Sequence, residues 1–147
     1  MTADANAILT LIATYAERLD AGDFAGMAAL FEHAVVTSEG GGMDVKGTAE
    51  VLDIFERSTR RFADDGTPHT KHVTTNPIIE FGADGDTATC RSYFTVFQQT
   101  DTLPLQAVVA GRYHDDFRFV DGAWRFSRRD ITIDLTGDLR EHLYGSA

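Results

Sequence analysis

His72, Asp20, Tyr15 and Arg129 are of the side-chain types that move protons or hold developing negative charge. An imidazole exchanges a proton near neutral pH, and a carboxylate beside it sets its tautomer and raises its pKa. Tyr15 and Asp20 stand five apart on one helix, about 500° of rotation, so they diverge by roughly 140°. They converge on one site only if Asp20 sits at the helix end, where the chain turns inward. An acid at that end opposes the helix dipole and needs another partner; bonding to the turn at Gly22-Asp23 is its structural alternative. Tyr15 alone reads as a core tyrosine in an apolar stripe. Arg128 and Arg129 are strand neighbours and point to opposite faces, so one can face inward while the other pairs outside. An inward guanidinium would hold a carboxylate or enolate oxygen bidentately, and a structural bridge to a nearby Asp such as Asp130 is the alternative. Asn76, beside Pro77, can bond either a ligand or the backbone. His69 and His72 should face opposite sides of a strand and lack a third convergent ligand, so no bound metal is expected.

Other chemistries lack their residues. No Gly-x-Ser-x-Gly occurs, and Cys90, the only cysteine, sits in an alternating run as a small buried side chain, without an activating context. Gly40-Gly41-Gly42 does not meet the spacing of a phosphate or dinucleotide loop. The 147 residues carry 13 Lys+Arg against 23 Asp+Glu, a net charge of −10, which argues against nucleic acid or an anionic membrane as partner. Arg57, Arg60 and Arg61, the densest basic group, read as a solvated helix face near a C-terminus. No apolar run approaches membrane-spanning length, and the N-terminus lacks the basic flank of a signal peptide, so a soluble, cytoplasmic chain is expected. Ten Phe, four Tyr and one Trp supply a core.

The elements that must position these groups follow from period. Ile8, Leu11, Ile12, Tyr15 and Leu19 form a helical stripe that Thr2 or Asp4 can cap and Gly22 can end. Asp23 can cap a short second helix through Met27, Leu30 and Phe31. Short strands at 34–39 and 43–46 flank the triple glycine, and a third helix fits 48–62, with Val51, Ile54, Phe55 and Phe62 inward. Four long strands follow near 69–81, 87–100, 105–120 and 123–133, with Trp124 in the core. In the third, Leu105, Ala107, Val109, Gly111, Tyr113, Phe117 and Phe119 share the inward parity. Helices first and an antiparallel meander second give an α+β chain, read as one domain over 1–147.

Three local patterns carry a family resemblance: Tyr15-Ala-Glu-Arg-Leu-Asp20-Ala-Gly22-Asp23-Phe24; His72-Val-Thr-Thr-Asn76 with Gly85-Asp86; and Gly111-Arg-Tyr113 with Asp121-Gly122-Ala-Trp124-Arg-Phe126 and Arg129. Together they resemble the SnoaL-like branch of the NTF2-like superfamily. The resemblance implies a cone-shaped half-barrel whose helices and concave sheet enclose one deep, largely apolar pocket. It also implies a homo-oligomer, dimer or trimer, through the convex face, where Val108 and Ala110 add apolar surface. Asp20 and His72 match the catalytic Asp and one His of scytalone dehydratases; their second histidine falls near Phe97 and their substrate-binding asparagine near Tyr113. Bile-acid 7α-dehydratases resemble the chain at Tyr15, Asp20 and His72, with a pocket arginine at Arg129. Ketosteroid isomerases place an oxyanion tyrosine at Tyr15 and a general base at Glu39, which otherwise reads as a solvated loop acid.

The function so implied is a cofactor-independent lyase (dehydratase) or isomerase acting on a hydrophobic, ring-containing or polyketide-like small molecule. His72, tuned by Asp20, would remove a proton, and Tyr15 with Arg129 would hold the enolate oxygen. A non-catalytic binding or accessory protein on the same cone is the rival, and a filled cone would instead mark a protein-interaction module.

Overall fold

The computed structural model describes residues 3–145. Helix α1 (Ala5–Asp20) starts where the Asp4 carboxylate accepts the Ala7 N–H, and its stripe of Ile8, Ile12, Tyr15 and Leu19 is buried. Thr2, the other capping candidate, lies outside the described residues. Asp23 caps α2 (Phe24–Ala29) by accepting the Gly26 N–H. Between the two helices Gly22 takes φ +78°, and a Cβ there would meet the Gly66 carbonyl oxygen at 2.1 Å. That turn admits no side chain.

Strands β1 (Val35–Ser38) and β2 (Asp44–Lys46) lead into α3 (Gly47–Ser58). Glu50, in the first turn of α3, accepts the Lys46 N–H. The helix ends at Ser58 and not at Phe62, because Thr59 is extended and bridges to Leu143 in the C-terminal segment. Only Arg57 therefore stays helical, paired with Asp53 at 2.9 Å. Arg60 lies over the Tyr144 ring and Arg61 over the Phe24 ring, so these two pack on aromatic faces beyond the helix.

The long strands are β3 (Thr70–Phe81), β4 (Thr87–Gln98), β5 (Gln106–Val120) and β6 (Ala123–Thr136). They join β1 and β2 in one curved, unclosed sheet of order β2-β1-β6-β5-β4-β3, antiparallel except where β1 runs parallel to β6. Helix α1 lies against β3 and β6, and α2 against α3. Trp124 and Cys90 are both buried, as their runs predict. Among the described residues no helix is long and apolar enough to cross a membrane.

One strand departs from simple alternation. The β4–β5 register shifts between Val96 and Phe97, so that Val96 opposes Val109 while Phe97 opposes Ala107. The extra residue, Val108, turns inward and is fully buried; Ala107 turns outward, and Leu105, just before the strand, is left 67% exposed beside the end of β4. A one-residue slip moves every side chain before it to the other face. Val108 thus leaves the outer apolar surface, which Val73, Tyr93 and Leu135 supply instead.

Candidate active site

Asp20 is the last residue of α1, and β3 begins directly beneath it. Its Oδ1 accepts from the Thr70 hydroxyl at 2.8 Å and faces His72 Nδ1 at 2.6 Å; its Oδ2 accepts the His72 backbone N–H at 2.8 Å. The adverse end of the helix dipole is thereby offset by three donors from one strand terminus. Burial works to raise the Asp20 pKa, but the bond and charge of His72, its backbone N–H and Thr70 outweigh it, and the carboxyl lies below its ordinary value. The two side chains are only 7% and 10% exposed. A nitrogen 2.6 Å from a carboxylate is the protonated one, so in the neutral ring Nε2 keeps the lone pair. Among the described residues Nε2 makes no hydrogen bond.

A hollow of about 1100 Å³ opens beside this pair, between α1, the start of β3 and the end of β4. Leu9, Ile12, Ala13, Ala16, Phe97 and Leu105 give it apolar walls, and Asp20, Thr70, His72, Thr74 and Gln98 supply the polar groups. It is half-open to solvent, not the enclosed pocket implied by the resemblance. The space deeper under the sheet is filled. Tyr15 is buried there with its ring edge-on to His72 (6.5 Å between centroids), Phe31, Phe55 and Tyr113.

Several expected ligand contacts are therefore corrected. Arg129 does face inward while Arg128 faces out, as alternation requires, but Arg129 is fully buried in a bidentate pair with Asp115 at 2.8 and 2.8 Å. Its guanidinium lies 3.7 Å from the Tyr113 ring centroid and 4.3 Å from that of Tyr15. Burial would lower its pKa, yet Asp115 more than offsets this and the guanidinium stays charged. Tyr113 is stacked on Phe94 at 4.4 Å and buried, so it reaches no ligand in the hollow. Tyr15 backs His72 from the packed layer; burial raises its hydroxyl pKa, against the pull of Arg129. Asn76 occupies a bulge between Thr75 and Ile78 with φ +56°, a conformation asparagine tolerates, and borders a hollow of about 310 Å³ on the outer face. Glu39 is 69% exposed, 3.9 Å from Arg112 on that same outer face, and cannot serve as base beside His72. Phe97 is the remaining expected contact, and it does line the hollow.

Two residues escaped the sequence reading. Asp115 shares the buried parity of Tyr113 and Phe117, a signal that was available. His142 comes from the C-terminal segment, where no period marks a strand or helix, and its ring lies 6.0 Å from that of His72. At the rim, His69 Nε2 faces Asp64 at 2.9 Å and Asp65 at 3.3 Å. The hydrogen bond that the His69 ring donates to Asp64 raises the His69 pKa, so these groups, though close enough to share a cation, also satisfy one another as an ion pair. Burial pushes the Cys90 thiol up to about 11, which leaves it unreactive.

No curated protein matches the chain. Among solved structures it is similar to a cystatin-like-fold protein of unknown function from Nostoc punctiforme, at 26% identity over 91% of this chain and 96% of that one (TM-score 0.73). A Novosphingobium aromaticivorans protein provisionally described as a scytalone dehydratase is 25% identical over 97% and 93% (TM-score 0.73). An NTF2-like protein from the same genus and species shares the fold at 22% identity over 98% and 84% (TM-score 0.72). The model of the SnoaL-like domain matches residues 1–130, a span that holds Asp20, His72, the hollow and the buried ion pair. On that match, and on an unclosed six-stranded sheet of the cystatin-like, NTF2-like kind, the chain belongs to the SnoaL-like family.

Proposed function

We propose that this protein is a cofactor-independent lyase of the dehydratase type, or an isomerase, acting on a hydrophobic, ring-containing small molecule. The observation that carries the reading is the 2.6 Å contact between Asp20 and His72 at the wall of a hollow large enough for such a ligand. His72 Nε2 takes a proton from a carbon beside a carbonyl, and Asp20 stabilises the imidazolium that results. The proton then goes to a departing hydroxyl, which leaves as water, or to another ring carbon. Every transfer is one that the chain's own groups can make. Positioned acid–base groups of this kind contribute roughly 10²–10⁴-fold. Phe97, Leu9 and the small side chains of Ala13 and Ala16 hold the ring, while Tyr15 fixes the imidazole from behind.

A thermal-shift screen with ring ketones, hydroxysteroids and aromatic polyketides tests this, comparing wild type with His72→Ala. Hits should stabilise both proteins and be converted by wild type alone. Equal conversion by the variant would sink the proposal. The half-open hollow favours one other reading, a binding or accessory protein, whose mark is ligands that stabilise both proteins and are released unchanged by both. A second copy covering Val73, Tyr93 and Leu135 is the further expectation for a chain working in the cytoplasm, and sedimentation of wild type against Leu135→Glu checks it.

A further inference from the structure

Removing a proton beside a carbonyl leaves negative charge on the carbonyl oxygen, and a donor held where that charge builds is what speeds the step. The two groups that the sequence offers for this are spent: Arg129 is closed off by Asp115, and Tyr15 lies in the packed layer behind His72. Most donors that line the hollow are committed as well. The Thr67 hydroxyl goes to Asp65, that of Thr70 to Asp20, and the Gln98 amide to the Pro68 and Glu141 carbonyls. The two His69 ring nitrogens face the Gln99 carbonyl and Asp64. Lys71 and Gln99 are exposed, Lys71 on the opposite parity from His72 and Gln99 past the end of β4. Thr74 is the exception. It lines the hollow half-buried, and its hydroxyl makes no hydrogen bond among the described residues. Across β4 it opposes Phe94 as His72 opposes Val96, both of them buried, so the Thr74 and His72 side chains share the inward face. They stand about 7 Å apart along the strand.

We propose that Thr74 is a second catalytic residue of this site: its hydroxyl donates a hydrogen bond to the substrate oxygen on which negative charge builds while His72 removes the proton. The proposal rests on the dyad reading above. The bond to Asp20 fixes the imidazole, so Nε2 is held at the wall of the hollow. A ketone whose acidic carbon lies against Nε2 carries its oxygen two bonds further on, within reach of a short side chain one strand repeat away. The substrate oxygen then points along β3, away from the His69 rim. In the step itself the C–H bond breaks, the N–H bond at His72 Nε2 forms, and the freed electron pair moves onto the carbonyl oxygen. Thr74 keeps its own proton throughout. A neutral donor there adds no positive charge to repel the imidazolium at His72.

The test uses 2-tetralone in D₂O, with deuterium exchange of its α-protons followed by NMR, and 2-naphthol as a planar mimic of its enol. Wild type should accelerate exchange and His72→Ala should not. Thr74→Val, which keeps the branched shape without the hydroxyl, should slow it on the order of 100-fold with KM little changed, as loss of an oxyanion donor does. Thr74→Ser, which restores the hydroxyl, should recover most of the rate; a Ser variant as slow as the Val variant would overturn the proposal, the loss then being one of packing. If Thr74→Val exchanges at the wild-type rate while His72→Ala is inactive, the proposal fails and the dyad stands. If wild type is no faster than His72→Ala, the dyad reading fails and takes the proposal with it. Should Thr74→Val not fold, ¹³C spectra of wild type decide: 2-naphthol should move the Thr74 β-carbon signal, and a signal that stays in place overturns the proposal.

Discussion

Asp20 acts on His72 through geometry and charge together, and the two can be separated by substitution. The carboxylate receives the Nδ1 proton, and its other oxygen is pinned by the His72 backbone N–H, so the ring can neither turn nor change tautomer without breaking a bond. Asp20→Asn keeps the shape and most of the bonds but removes the negative charge that stabilises an imidazolium. It also offers an amide that can donate to Nδ1 and so drive the proton to Nε2, the wrong nitrogen for a base. The expected result is a fall in kcat of about 10²–10⁴-fold with ligand affinity nearly unchanged. An Asn variant within threefold of wild type, on any substrate that the screen finds, would show that the carboxylate is structural only. Both partners stand out in the sequence because Asp at a helix end is a local misfit and a strand-borne histidine is a proton carrier. Their contact spans fifty-two positions, and only the family resemblance pointed to it.

At the scale of elements, the long strands were legible because alternation repeats over a dozen residues, which is a strong signal even in one sequence. The places where the reading failed are places where one residue breaks the repeat. Val108 enters as a bulge and reverses Ala107; Asn76 does the same on β3 and carries its own side chain to the outer face. Helix α3 ended early for a different reason, a bridge to Leu143 that no local pattern announces. His142 was invisible on the same ground, since a segment held by backbone bonds to distant elements has no period to read. Gly111 shows the reverse case, a residue whose type records a close approach. A Cβ there would lie 2.0 Å from the Thr132 carbonyl oxygen and 2.9 Å from the Phe94 ring. Gly111→Ala must push β6 away or unstack Phe94 from Tyr113, and should cost about 1–3 kcal/mol in a urea titration. An unchanged midpoint would mean that the strands move apart more freely than this packing implies.

The whole molecule is organised around a charge pair where a cavity was expected. Arg129 and Asp115 cross the centre of the sheet, roofed by Tyr15 and Tyr113, and together they occupy the middle of the concave face. Breaking such a pair from one side strands a charge, so Asp115→Ala should cost about 3–5 kcal/mol, whereas the double change Asp115→Leu with Arg129→Met should cost far less. Equal losses in the two proteins would contradict that account. Other buried groups also make folding depend on pH. His142 titrates near 4 in the folded chain and at its ordinary 6.5 when unfolded. Between those values the unfolded chain holds a proton that the folded chain lacks, so stability rises with pH across this window and is lost on acidification, by roughly 3 kcal/mol at pH 4. Asp20 adds to the loss lower down: its carboxyl is depressed in the folded state, so its contribution is full above the ordinary carboxylate range and disappears as pH falls through the folded value. Cys90 works at the other end, where a thiol raised from 9.0 to about 11 makes stability fall as pH climbs past 9. Urea midpoints measured from pH 4.5 to 7 should therefore rise, and His142→Gln should remove most of that slope while leaving the decline below pH 4 in place. A variant with the wild-type slope would mean that the His142 ring takes up its proton from solvent as easily in the folded chain as in the unfolded one, and that the C-terminal segment does not seal it.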